Sequence, residues 1–136
     1  MDEPISPEHD AYLREHVWAL LCTTRGDGSP QSSMVAYQWD GTDLIVSTRA
    51  SSAKVRNLRR RPVAVAAVAD DRRFLSVAGP VTIVDSGPEL LALTLQLQGA
   101  LQPSDAATLQ RDLDAGLEAV GRVVVVLTPQ RILGRI

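Results

Sequence analysis

The side chains best suited to chemistry in this sequence are the positive charges of residues 47–62. This segment holds Lys54, the one lysine among 14 basic residues, and five arginines: Arg49, Arg56, Arg59, Arg60 and Arg61. The whole chain has a formal net charge of −2, so the positive charge is local. Free backbone N–H groups, serine hydroxyls and a lysine can all donate to one phosphate. The segment is therefore a candidate anion site.

A strand-to-helix junction must position this cluster. Ser51 or Ser52 can cap a helix, which ends before Pro62 because the residue preceding a proline avoids helical geometry. The strand before this helix spans residues 44–48. The helix dipole disfavours a cation in the first turn by up to ~1 kcal/mol. Two interpretations stay open on these residues alone: a bound anion, or a solvated basic helix.

The angular positions on this helix divide its side chains into groups. At about 100° per residue, Val55 and Leu58 face the core. Lys54, Asn57 and Arg61 border that apolar face, whereas the other arginines lie farther round or trail towards the helix end. We therefore expect Lys54 beside the buried surface.

Residues 31–39 alternate along a predicted strand. Val35, Tyr37 and Trp39 point to one side and suit a core. The other side carries small, uncharged side chains: Ser32, Met34, Ala36 and Gln38. That face suits a wall against a flat ligand, and a solvent-exposed face is the alternative interpretation.

The remaining pattern predicts a mainly β domain. Further strands are expected at residues 17–24, 63–68, 74–84, 122–128 and 131–136, and further helices at residues 6–16, 87–98 and 103–121. Gly79-Pro80 suggests a bulge or a sheet edge. The hairpin-like spacing favours an antiparallel barrel of six to seven strands with peripheral helices, formed by residues 1–136 as a single domain.

Several kinds of site are not predicted. Cys22 is the lone cysteine, both histidines lie near the N-terminus, and no spacing of a metal site or catalytic triad occurs. RNA binding by the arginines lacks interleaved aromatic residues. The N-terminus has no signal-peptide core and no apolar run spans a bilayer, so we expect a cytoplasmic protein without a membrane or nucleic-acid partner.

Two motifs carry a resemblance to a known family. A Gly-x-Pro strand, residues 28–40, is followed one hairpin later by Lys-x-Arg-Asn-Leu-Arg, residues 54–59. This arrangement resembles the flavin/deazaflavin oxidoreductases, the split β-barrel proteins related to pyridoxamine 5′-phosphate oxidase. The nearest resemblance is to the actinobacterial branch that uses coenzyme F-420, and it extends from about residue 12 to residue 134.

The resemblance implies a homodimer with two cofactors at the subunit interface. It implies coenzyme F-420, or FMN as the alternative, and no catalytic side chain or metal. Hydride would pass from the reduced deazaflavin to a planar conjugated acceptor such as a quinone, an enone or a tetrapyrrole. The cofactor-binding residues carried over by position are Ser32, Ser33, Met34, Val35 and Ala36 at the ring, Ser47 and Thr48 beneath it, and Lys54, Arg56 and Asn57 at the phosphate.

Two other hypotheses for the function stay open: an FMN-binding oxidoreductase, and a non-catalytic flavin carrier or structural dimer of the same fold.

One departure from the family is informative. Pyridoxamine phosphate oxidases have an Arg-x-His substrate motif near the C-terminus, whereas this chain ends Gly134-Arg135-Ile136. We therefore do not expect that specific activity.

Overall fold

A computed structural model describes residues 5–136 of the chain. The described elements follow one another as α1 (Pro7–Glu15), β1 (Trp18–Thr24), β2 (Pro30–Ala36), β3 (Gln38–Trp39), β4 (Leu44–Arg49), α2 (Ala53–Arg60), β5 (Val63–Asp70), β6 (Arg73–Val84), α3 (Gly87–Gln98), α4 (Pro103–Ala115), α5 (Leu117–Val120), β7 (Arg122–Leu127) and β8 (Arg131–Arg135). Most bounds lie within two residues of those expected from the sequence.

The strands form one curled antiparallel sheet. Seven of them follow the order β2-β1-β5-β6-β7-β4-β3, and β8 pairs with β6 beside that path. Every described pairing is antiparallel. The predicted fold class, a mainly β antiparallel barrel with peripheral helices, is therefore confirmed, and the sheet curls into a half-barrel. The core lies inside the curl, where Leu21, Leu75 and Val77 are fully buried.

One predicted strand is two strands in the structure. Residues 31–39 were expected to run continuously, but β2 pairs with β1 while β3 pairs with β4. The chain bends at Tyr37, whose N–H donates to the Val17 carbonyl at 3.1 Å and whose hydroxyl donates to the Leu13 carbonyl at 2.7 Å. The first bond continues the register of β1 and β2 by one pair, the second ties Tyr37 to α1, and from Gln38 onward the chain pairs with β4 instead.

Gly79 and Pro80 lie where β6 changes partners. Ala78 pairs with Arg131 of β8, and Val81 pairs with Leu127 of β7, so the strand opposite contains one extra residue. This extra residue lies in the connection between β7 and β8, whereas β6 pairs with β5 in unbroken register through Gly79 and Pro80, so the bulge or sheet edge expected from the sequence is not found in β6. A Cβ on Gly79 would lie 1.9 Å from the Thr128 carbonyl oxygen, so only glycine allows the approach.

The helices begin where their caps predict. The Ser6 hydroxyl accepts from the His9 N–H at 3.1 Å, and the Ser52 hydroxyl accepts from the Val55 N–H at 3.4 Å. The helix expected over residues 103–121 is instead divided into α4 and α5, because Gly116 adopts a φ of 96°. Among the described residues, no helix combines the length and the apolar character needed to cross a bilayer.

Candidate functional site

The cleft that contains Lys54 lies where β2, β4 and β7 meet the start of α2, with α3 and α4 above it. Its volume is about 390 Å³, within the range of small-molecule sites. Its lining combines apolar and cationic residues: Met34, Val35, Ala36, Ser47, Thr48, Arg49, Ser52, Lys54, Leu97, Leu101, Asp105, Thr108, Leu109 and Arg122.

Apolar side chains from two parts of the chain supply much of the lining. Met34, Val35 and Ala36 come from β2, and the leucines come from α3, α4 and the turn between them. Leu97 and Leu109 are almost fully buried, whereas the Met34 side chain is 69% exposed. This lining offers a planar, uncharged group an apolar surface together with an exposed edge at Met34.

Three cations line the same cleft. Lys54 lies in the first turn of α2, Arg49 ends β4 and Arg122 begins β7. Lys54 is half-buried, and its ammonium group makes no ion pair with any residue from 5 to 136. Burial lowers the pKa of Lys54, and the positive charge of Arg122 lowers it further. An anion would relieve both effects.

A buried carboxylate holds the two arginines together. Asp112 of α4 is 7% exposed and accepts from Arg49 Nη2 at 3.0 Å and from Arg122 Nε at 2.9 Å. Burial by itself raises the pKa of Asp112, but the hydrogen bonds and charges of the two arginines outweigh it and lower the pKa below its ordinary value. Asp112 is therefore an anion throughout the neutral range.

The Ser47 hydroxyl is the unsatisfied polar group of the cleft. Its Oγ is buried and has no hydrogen-bond partner among the described residues. Buried polar groups without a partner are rare in proteins, and each one calls for a ligand or another explanation. Together with the unpaired Lys54 ammonium group, this hydroxyl matches a phosphate-bearing ligand. The residues present therefore fit a phosphorylated cofactor.

The cleft brings together six of the ten residues expected to bind a cofactor. These six are Met34, Val35, Ala36, Ser47, Thr48 and Lys54. Arg56, Asn57, Ser32 and Ser33 are outside its lining. The Arg56 side chain is exposed and donates to the Ser51 carbonyl at 2.7 Å. Ser32 is exposed farther along β2, on the same face as Met34 but outside the cleft.

Asn57 and Ser33 belong to one polar network beside the cleft. Asn57 Nδ2 donates to Thr23 Oγ1 at 3.1 Å, and Thr23 Oγ1 donates to Gln31 Oε1 at 3.0 Å. Gln31 Nε2 then donates to Ser33 Oγ at 2.8 Å. Arg60 donates to the remaining oxygen of Asn57 at 2.9 Å. Because the Asn57 amide is engaged at both ends, in this structure it fixes α2 against β1 and β2.

Sequence reasoning missed Arg122 and Asp112 as parts of the site. They lie 68 and 58 positions beyond Lys54 in the sequence, and no short motif links them to it. Arg122 reaches the cleft because β7 pairs with β4, where Arg122 lies directly opposite Arg49. The one signal available in the sequence was an acidic residue on a predicted helix that is followed by a strand beginning with arginine. This signal is weak, because many solvent-exposed helices also carry acidic residues.

The lining limits the chemistry that this chain can perform by itself. The cleft-lining residues include no histidine, cysteine or tyrosine. Among residues 5–136, no group of histidine, cysteine and carboxylate side chains could hold a metal ion. The arrangement can bind and orient a ligand through charge and shape, and it leaves bond-changing chemistry to that ligand.

Comparison with solved structures identifies the architecture. An F-420 reductase superposes with a TM-score of 0.69 at 23% identity, covering 95% of this chain and 98% of its own. An FMN binding protein from Nostoc punctiforme, related to pyridoxamine 5′-phosphate oxidase, gives a TM-score of 0.66 at 15% identity, with 96% and 84% coverage. The heme storage protein HutZ from Vibrio cholerae gives 0.69 at 15%, with 98% and 96% coverage.

Sequence comparison gives the family. No curated protein matches this chain significantly. The family model for pyridoxamine 5′-phosphate oxidase matches residues 5–135, nearly the whole chain. The split β-barrel resemblance predicted from the Gly-x-Pro strand and the Lys54 segment is therefore confirmed, and the chain belongs to the pyridoxamine 5′-phosphate oxidase family.

Proposed function

We propose that this protein is a reductase that binds coenzyme F-420 in the Lys54 cleft and transfers hydride to a planar conjugated acceptor of the quinone, enone or tetrapyrrole type. The observation that carries the proposal is the composition of the cleft. Two lining groups, the Lys54 ammonium group and the Ser47 hydroxyl, have no hydrogen-bond or ion-pair partner within residues 5–136, and the other main set of lining groups is apolar. A ligand with a phosphate and a planar ring meets both requirements.

The phosphate would be held at the α2 side of the cleft. The first N–H groups of a helix have no partner within the helix, and its dipole favours an anion there. Lys54 adds a full positive charge in the first turn of α2. Ser52 is less free to contribute, because its hydroxyl already donates to the Arg49 carbonyl at 2.8 Å and accepts from the Val55 N–H.

The ring would lie against the β2 lining. Met34, Val35 and Ala36 present no charge there, and Leu97, Leu101 and Leu109 exclude water from the helical side. The pattern of small side chains on β2 predicted such a wall. In this arrangement the chain orients the ring and shields it, and no side chain of the cleft needs to act as an acid or a nucleophile.

Bound F-420 would supply the hydride chemistry, as redox cofactors generally do while the protein provides binding and electrostatics. The likeness in fold to an F-420 reductase is compatible with this choice, and so is the resemblance of the Lys54 segment to the F-420-dependent branch. The choice of F-420 over FMN rests on that resemblance.

We also infer a homodimer. The outer face of β1, β2 and β5 carries exposed apolar side chains, with Trp18 55% and Met34 69% exposed. Leu20 lies opposite both Met34 and Ala67 in the ladders, so the face is continuous across three strands. Because Met34 also lines the cleft, a second copy covering this face would extend over the ligand.

The dimer can be tested with a charge on that face. Leu20→Arg should convert a dimer to a monomer in sedimentation analysis, because the arginine would have to be buried without a partner. Leu91→Arg is the matched control, since Leu91 is exposed on α3 away from the sheet. A wild-type monomer, or a Leu20→Arg dimer of unchanged affinity, would contradict the inference.

The function is tested by titrating the purified protein with F-420 and with FMN, read by fluorescence. F-420 binding, followed by acceptor-dependent oxidation of reduced F-420, is the expected result. Tight binding of FMN alone would refute the F-420 proposal and favour the second candidate, an FMN-dependent oxidoreductase or flavin carrier. That candidate is supported by the likeness in fold to the FMN binding protein. Failure to bind either cofactor would refute both.

A further inference from the structure

Two arginines face each other at the junction of the cleft with α4. Arg49 of β4 and Arg122 of β7 are direct cross-strand partners. Like charges in such positions repel each other. Asp112 bridges them and neutralises one of the two charges. With Lys54 and the cleft carboxylate Asp105 included, three cations face two carboxylates, and the balance remains positive.

The hydrogen bonds of Arg122 leave one nitrogen available. Its Nε and Nη2 both donate to Asp112 Oδ2, and within residues 5–136 its Nη1 has no acceptor. The Arg122 side chain is only 12% exposed. The guanidinium group is therefore held by two hydrogen bonds to Asp112 in a position that is largely shielded from water. Arg49 is less constrained: its side chain is 48% exposed, and Nη1 donates to the Val120 carbonyl.

We propose that Arg122 is a further phosphate-binding residue of this cleft and that Asp112 is its positioning residue. Asp112 orients the guanidinium group so that its free nitrogen joins Lys54 and Ser47 at the phosphate. The ligand class is a phosphate ester, and only its attachment to a flavin or deazaflavin rests on the proposed function. A fixed guanidinium loses little side-chain entropy on binding, which favours it as a phosphate ligand.

The main test compares a phosphorylated cofactor with its phosphate-free counterpart, FMN with riboflavin. If the wild type binds F-420 and not FMN, F-420 and its 5-deazariboflavin core take their places, with the same expected changes. Arg122→Gln should weaken FMN binding about 10- to 100-fold, the scale of a charge-assisted hydrogen bond. Riboflavin binding should change by less than about 3-fold. Arg59→Gln is the matched control, because Arg59 forms an exposed ion pair with Asp85 and does not line the cleft. Equal losses for both ligands, or no loss for FMN, would overturn the proposal.

A second test does not depend on any flavin. If the wild-type protein binds neither FMN nor F-420, the proposed function fails, but inorganic phosphate still tests Arg122. Phosphate should raise the unfolding temperature of the wild type above its value in chloride of equal ionic strength, and this rise should disappear in Arg122→Gln. No rise in the wild type, or an undiminished rise in the variant, would overturn the proposal. Should Arg122→Gln not fold, Arg122→Lys keeps the charge without the fork and should show a partial loss.

The positioning role of Asp112 has its own readout. Asp112→Asn should lower the ratio of FMN affinity to riboflavin affinity, because Arg122 loses its two-point hold. A structural role alone would lower thermal stability and leave that ratio unchanged. A higher ratio would mean that Asp112 competes with the ligand for Arg122. Either of these last two results would overturn the positioning assignment.

Discussion

Lys54→Met is expected to weaken ligand binding while stabilising the ligand-free protein. Methionine keeps the length and apolar stem of the lysine and removes its charge. Lys54 has no counter-ion among residues 5–136 and lies near Arg122, so its charge is unfavourable until an anion binds. An ordinary structural lysine would show neither effect.

The binding loss follows from the contact that Lys54 is expected to make. A charge-assisted hydrogen bond contributes about 1.5–3 kcal/mol. Because about 1.4 kcal/mol corresponds to a tenfold change, the dissociation constant of the phosphorylated cofactor should rise about 10- to 150-fold. Fluorescence titration measures it. Arg59→Met, on the exposed end of the same helix, is the control.

The gain in stability should depend on pH. The folded-state pKa of Lys54 lies below the ordinary value of 10.5, so the unfolded chain binds more protons between these two values. The free energy of unfolding of the wild type therefore rises with pH between the folded-state pKa of Lys54 and 10.5. Urea unfolding in phosphate-free buffer should show Lys54→Met to be more stable at pH 7, by on the order of 0.5 kcal/mol, as for partly exposed charges. This advantage should shrink as the pH approaches 10.5.

Two results would refute this reasoning. An unchanged dissociation constant would remove Lys54 from the phosphate site. A variant less stable than the wild type at pH 7 would show that Lys54 is already paired in the free protein, for example across a dimer interface.

Two further predictions concern the structure around the cleft. Asp112→Asn should lower the free energy of unfolding at pH 7 by about 2–3 kcal/mol, below the usual loss for a broken buried pair because Arg49 is half exposed. Because the folded-state pKa of Asp112 is lowered, this contribution to stability is present above pH 3.8 and is lost as the pH falls through the folded-state pKa. The urea unfolding curves of wild type and variant should therefore converge in acid. A difference that stays constant with pH would contradict the assignment. Gly79→Ala should lower the free energy of unfolding by about 3 kcal/mol or more by overpacking, because the alanine Cβ would lie 1.9 Å from the Thr128 carbonyl oxygen. In the control Gly99→Ala, the nearest atom to the added Cβ lies at an ordinary contact distance of 3.6 Å. Equal urea unfolding midpoints for the two variants would contradict the close approach at Gly79.

Local patterns were sufficient to predict most elements and the start of the site. The Ser52 cap, the proline after α2 and the alternation around Val35 all act over a few residues, and the sequence displays them directly. Periodicity also correctly assigned Val55 and Leu58 to the core. The Lys54 segment was recognisable because charge and helix start lie together in the chain.

Other features depended on contacts between distant residues. The break at Tyr37 follows from a change of pairing partner, from β1 to β4, which a strand pattern does not contain. The division of α4 from α5 follows from a positive φ at Gly116 that propensity alone did not reveal. In both places the hydrophobic periodicity of the sequence continues past the point at which the strand or helix ends in the structure.

The sequence by itself determined that this chain forms a split half-barrel with a cationic helix start beside a strand of small side chains. Tertiary structure alone decided which cations share the cleft. The pairing of β4 with β7 places Arg122 opposite Arg49, and the packing of α4 places Asp112 between them. It also directed Asn57 into a hydrogen-bond network away from the cleft. The physical reason is that helix and strand periods are local, whereas sheet register and ion pairing join residues many positions apart.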